Sequence, residues 1–155
     1  MSMRATVAAV DTDEAIRMIS ESFDRIATGA RRSVRAAATE LAEGLQPAAW
    51  PVFREVVRAE RIQASTIVHT LGMDKSAVSR HLKELRELGL VDAERDEHDA
   101  RVLWISPTPL ALTRLAGVVA TQQERLRTEL GTWDPEDVER FARLLARFSG
   151  AAAGE

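Results

Sequence analysis

Lys75, Ser76, Ser79, Arg80 and Lys83 stand at i, i+1, i+4, i+5 and i+8. On a helix this spacing puts all five on one side. Each can donate hydrogen bonds, and the two serines can also accept, which are the capabilities needed to reach base edges and phosphates. A helix presenting such a face has the width to enter a DNA major groove. Residues 74–86 hold four basic and two acidic side chains, net +2, in a chain whose total is −3. The same residue types also make an ordinary solvated helix face. The surroundings favour the DNA reading. Ile67, Leu71, Met73, Val78, Leu82 and Leu85 fall where two short packed helices need buried contacts, and Gly72 sits at the sharp turn between them.

A second candidate lies downstream. Arg101 stands at the tip of a polar segment, residues 96–101, and Arg95 near its base. An Arg at the end of a β-ribbon can enter a minor groove, where the negative potential attracts it. The competing reading is a loop ion pair, because Asp96, Glu97 and Asp99 surround that arginine. Asp99 is the candidate partner that braces the loop.

Other chemistry finds little footing. With no cysteine among 155 residues, disulfides, thiol nucleophiles and Cys-zinc sites are excluded. His69, His81 and His98 share no helical face, and no carboxylate pair completes a metal spacing, so no metal and no cofactor is expected. The glycines are scattered rather than gathered into a phosphate-cradling loop, and no nucleophile elbow is present. The chain does not read as an enzyme. A composition of 45% hydrophobic and 29% charged residues fits a folded domain and not a disordered one. No apolar run approaches membrane-spanning length. Asp11, Asp13 and Glu14 interrupt the short apolar stretch at the start, so no secretory signal is expected and the expected location is the cytoplasm.

These candidates need elements to hold them. Ile16, Ile19, Phe23 and Ile26 recur at helical spacing, and the pattern continues through Val34, Ala37, Ala38 and Leu41 to a stop at Gly44. This predicts one long helix or two, with Gly29 as the point of break. Pro47 opens a short helix over about 48–58, a second spans about 64–71, and a third runs from an Asp74 cap to Leu88 and Gly89. The period then changes. Residues 90–95 and 102–105 read as the two strands of a hairpin, with Pro107 ending the second. Helix returns over about 109–130. The run Trp133-Asp134-Pro135-Glu136-Asp137 starts a last helix by cap, first-position proline and acids. The terminal helical patterns carry broad apolar faces, Ile16, Ile19, Phe23 and Ile26 at one end and Phe141, Leu144, Leu145 and Phe148 at the other. One small lobe cannot cover both, which predicts burial against a second copy; packing within one chain is the alternative.

The run Ala48-Ala49-Trp50-Pro51-Val52-Phe53, then 67–72, then Lys75-Ser76-Ala77-Val78-Ser79-Arg80-His81-Leu82 resembles the MarR family of bacterial transcriptional regulators. So do Leu88-Gly89-Leu90-Val91 and the Asp96-Glu97-His98-Asp99-Ala100-Arg101 loop. The resemblance covers roughly residues 12–148. It implies a mainly α fold with a small β-hairpin wing: a winged helix-turn-helix with N- and C-terminal dimerisation helices. The helical dimerisation region would be 12–46 and 108–149, the DNA-binding lobe 47–107, and 1–11 and 150–155 flexible ends. It further implies a homodimer on a near-palindromic operator in double-stranded DNA, most often a repressor. Ser76, Ser79, Arg80 and Lys83, with Lys75, would read or clamp DNA, Arg101 would be the wing arginine, and Asp99 and Arg95 would support the wing. A small aromatic effector could enter a crevice bordered by Trp50 and Phe53, although core packing is the competing role for both. Val68, His98 and Ala100 depart from the family's usual smaller and more basic residues. Two other readings stay open: a winged-helix protein-interaction module without DNA binding, favoured by the acidic wing, and a small ligand-binding helical protein.

Overall fold

A computed structural model describes residues 11–99 and 102–150. Arg101, Ala100 and most of the two expected flexible ends lie outside the described residues. The first helix, α1 (Thr12–Leu41), runs unbroken through Gly29, which settles the choice between one helix and two. Its apolar stripe is exposed over the first turns, whereas Ala37, Ala38 and Leu41 are buried at its end. The two small alanines allow close approach there. A 3-10 turn (Pro47–Ala49) leads into α2 (Trp50–Ala59), and Pro51 occupies its first turn, where a missing N–H leaves no bond unmade.

Next come a two-residue strand β1 (Ile62–Gln63), α3 (Ala64–Leu71) and α4 (Lys75–Glu87). Gly72 ends α3 in the left-handed region, φ 59°, a conformation that costs a side-chain-bearing residue more than glycine. Asp74 caps α4, its Oδ1 accepting from the N–H of Ser76 at 2.7 Å. The hairpin follows as β2 (Val91–Arg95) and β3 (Leu103–Pro107). The sheet is antiparallel in the order β1-β3-β2, with Ile62 opposite Ile105, Val91 opposite Pro107 and Arg95 opposite Leu103. β1 escapes the sequence pattern because two residues are too short to show alternation. Pro107 is the last residue of β3. At that point β1 has already ended, so the missing N–H interrupts no three-stranded ladder.

Helices α1 to α4 and the sheet cluster as one compact unit that ends at Ala111, and residues from Leu112 form another. The core of the first unit is Val52, Phe53, Val56, Ile67, Val78, Leu85, Leu90 and Ile105, each essentially without exposure. Burying a side chain of this kind is worth about 1.5–3 kcal/mol. Glu55 is buried beside them and keeps its charge because Arg58 Nε donates to its Oε2 at 3.0 Å; that bond holds its carboxyl below the ordinary range against the opposing cost of burial. Thr108 ties the sheet to the next helix. Its hydroxyl donates to the Gly89 carbonyl at 2.7 Å and accepts from the Ala111 N–H at 3.1 Å, at the start of α5 (Pro109–Leu130).

In the second unit, α6 (Pro135–Phe148) begins as the sequence predicts. Asp134 Oδ1 accepts from the Glu136 N–H at 2.9 Å, and Pro135 takes the first position. Trp133 packs on Phe141 with ring centroids 5.5 Å apart.

Candidate nucleic-acid interface

Helix α4 has two contrasting faces. Val78, Leu82 and Leu85 are buried, while Lys75, Ser76, Ser79, Arg80 and Lys83 are all exposed. The helical period separates them because the apolar positions recur at three and four while the polar ones fall between. Asp74 is held below the usual carboxylate range, first by the Ser76 hydroxyl, then by the backbone N–H groups of Ser76 and Ala77. The Ser76 hydroxyl donates to Asp74 Oδ1 at 2.5 Å. Its hydrogen is therefore engaged in the cap, and its free lone pairs fit it to accept from a base amino group. Lys83 Nζ lies 3.8 Å from Glu87 Oε1, one turn on. Both side chains are well exposed, and such a pair is worth little and exchanges readily for a phosphate.

A residue not singled out by sequence fixes the far end of this helix. Glu84 Oε1 accepts the backbone N–H of Gln46 at 2.6 Å, and its Oε2 lies 3.6 Å from His81 Nδ1. The bond ties α4 to the segment just before the 3-10 turn. His81 is half-buried beside this carboxylate. Nothing local in the sequence signals the link, since its partners are 38 positions apart.

The wing is organised around Asp96. Its Oδ1 accepts from the N–H groups of His98 at 2.9 Å and Asp99 at 3.1 Å, and its Oδ2 accepts from Trp104 Nε1 at 2.9 Å. These bonds, Trp104 foremost, hold its carboxyl below the ordinary range, with a smaller contribution from the charge of Arg61. Asp99 supplies backbone support as well, its carbonyl accepting from the Val102 N–H at 2.9 Å. Arg95 is exposed at the end of β2. Arg101, the sequence candidate for the tip, lies outside the described residues. Between α3, α4 and the sheet is a cleft of about 630 Å³, with Val78, Leu82, Val91 and Leu103 in its walls and Lys75, Ser79 and Lys83 also lining it. Three of the five candidate α4 residues thus share one concave face with the wing strands.

Trp50 and Phe53 lie in the interior. Trp50 is 8% exposed and Phe53 fully buried, with ring centroids 6.0 Å apart. A ligand entering between them would have to displace core packing. Among the described residues no group of His, Asp and Glu is placed to hold a metal ion, and no helix is long and apolar enough to cross a membrane.

A three-stranded sheet behind two short helices, the second carrying a polar outer face, defines a winged helix-turn-helix protein. Residues 43–102 match the model of the MarR family. This span holds the whole helix-turn-helix and β2. Solved structures share the fold beyond that span. The YusO protein from Bacillus subtilis is 18% identical, with 92% of this chain and 99% of that one covered, at a TM-score of 0.73. A MarR family protein from Bacillus stearothermophilus is 16% identical over 93% and 99% of the two chains, at 0.76. RV1404 from Mycobacterium tuberculosis is 16% identical over 97% and 100%, at 0.76. No curated protein is matched by sequence.

Proposed function

We propose that the protein is a sequence-specific DNA-binding transcriptional regulator, a repressor, that acts as a homodimer on a near-palindromic operator. The family fold implies DNA-binding transcriptional regulation. The observation that carries the specific reading is the division of α4 into a buried apolar face and an exposed face of Lys75, Ser76, Ser79, Arg80 and Lys83. Arg80 and the serines take the base-reading positions in this assignment, and Lys75 and Lys83 the phosphates. Arg101 reaches the minor groove from the wing, with Asp99 and Arg95 supporting it.

The dimer reading is supported by the exposure of large apolar side chains on one chain. Ile16, Ile19, Phe23 and Ile26 of α1 are exposed, and so are Phe141, Leu144, Leu145 and Phe148 of α6, Phe148 to 70%. Such a surface is costly in water and gains from a second copy. Residues 12–46 and 108–149 are assigned to this contact, and 47–107 to DNA. Two recognition helices would then sit about 34 Å apart, one DNA turn. A small aromatic effector acts, in this reading, by changing that separation and so releasing the operator. A titration of aromatic acids against the operator complex tests it.

Selection of bound sequences from random duplexes tests the whole assignment. Enrichment of a palindrome with half-sites one turn apart is the expected result. Recovery of no consensus would overturn it and favour a protein-interaction module.

A further inference from the structure

Arg61 was not singled out by its sequence context, yet it lies against the wing. It follows Glu60, whose φ of 59° and ψ of −42° are unusual for a residue with a side chain. The tight turn there is closed by the Arg61 N–H donating to the Ala59 carbonyl at 2.6 Å. Strain of this kind persists only where the surroundings hold it. The guanidinium carbon of Arg61 stands 4.8 Å from the centre of the Trp104 ring. Its Nη2 is also 4.0 Å from Glu94 Oε2, and Glu94 is the residue opposite Trp104 in the β2–β3 register. Trp104 in turn donates its Nε1 to Asp96, the carboxylate that gathers the His98 and Asp99 N–H groups. One indole is therefore held on its face by Arg61 and at its edge by Asp96. The backbone link between this hairpin and the segment carrying Arg61 is only two residues long, Ile62 and Gln63. Side-chain contact must supply the rest of the hold.

We infer that Arg61 is a positioning residue for DNA binding, setting the wing through Trp104 and Asp96 rather than touching DNA itself. This rests on the proposed role of the wing, so the test has one arm that needs no DNA. In the free protein, Arg61→Ala should speed hydrogen exchange at the Trp104 indole N–H and at the His98 and Asp99 amides, and Trp104→Phe should do the same at the two amides. Exchange unchanged from the unsubstituted protein in both variants would overturn the inference, whether or not an operator exists. In the second arm, Arg61→Ala should weaken operator binding about threefold to tenfold, the scale of one cation–π contact. Added to Arg101→Ala it should cost nothing further, since both act through the wing. A full additional loss, with the salt slope falling by about one on the Arg101→Ala background, would make Arg61 a phosphate contact and overturn the positioning role. Failure to bind any duplex, with exchange accelerated as expected, would sink the regulator reading and leave the brace in place.

Discussion

Trp104 Nε1 donates to Asp96 Oδ2 at 2.9 Å across the hairpin, joining the start of the wing loop to the central strand of the sheet. The same carboxylate collects two backbone N–H groups of the loop, so one charge organises the loop from His98 to Asp99. These bonds favour the ionised form, and the carboxyl titrates below its ordinary value of 3.8.

The wing should therefore loosen in acid. A group whose folded pKa is depressed contributes stability that is fully present above its unfolded value and is lost as pH falls through the folded one. For Asp96 the loss begins near 3.8 and continues below it. Asp74, depressed in the same direction, should release the start of α4 over the same window. Hydrogen exchange at His98 and Asp99 should rise as pH is lowered through this range, after correction for intrinsic rates. Asp96→Asn should show fast exchange already at neutral pH and lose that dependence; slow, pH-independent protection in the variant would refute the brace.

Substitutions on α4 should separate into two kinds. Arg80→Ala and Ser79→Ala should relax preference at particular base pairs, at a cost of about 1–3 kcal/mol for Arg80 if it makes a paired base contact. Lys83→Ala should weaken all duplexes about equally and lower the salt slope by about one. Binding assays on the selected operator and a scrambled duplex, over a salt series, distinguish them. An equal effect of Arg80→Ala on both duplexes would remove it from base reading.

The exposed stripe on α1 should control assembly. Ile19→Asp combined with Ile26→Asp places two charges among side chains that are 52% and 60% exposed in one chain. Sedimentation should show loss of the dimer and operator affinity should collapse, while the substituted sites burden no core of the single chain. An intact dimer would move the interface elsewhere.

Phe53 should behave as core. It is fully buried, so Phe53→Ala should destabilise the first unit by about 3–5 kcal/mol in denaturant unfolding. Phe53→Leu, closer in volume, should cost far less and leave operator affinity unchanged. A small loss for the alanine variant would mean that the site is not packed, and would revive Phe53 as a crevice residue.

Much of this molecule is legible without coordinates because its signals are local. Gly72, the Asp74 cap, Gly89 and the Asp134-Pro135 start act within a few residues of themselves, and the helical period marks which side of α4 is buried. The choice at Gly29 was not legible, because a lone glycine weakens a helix by only about 1 kcal/mol and the neighbouring turns decide.

What the sequence by itself determined is the order of helices α2 to α6 and of the two hairpin strands, the turn between α3 and α4, and the identity of the exposed polar face. Helix periodicity, caps and glycine geometry are properties of short stretches of chain. Tertiary structure alone decided that Ile62 and Gln63 form a strand, that Glu84 holds the Gln46 backbone, that Trp50 and Phe53 are interior, and that Asp96 and Arg61 meet on Trp104. Each of these depends on partners far apart in the chain or on the total burial around a side chain, and both are set only when the whole backbone has closed around the core.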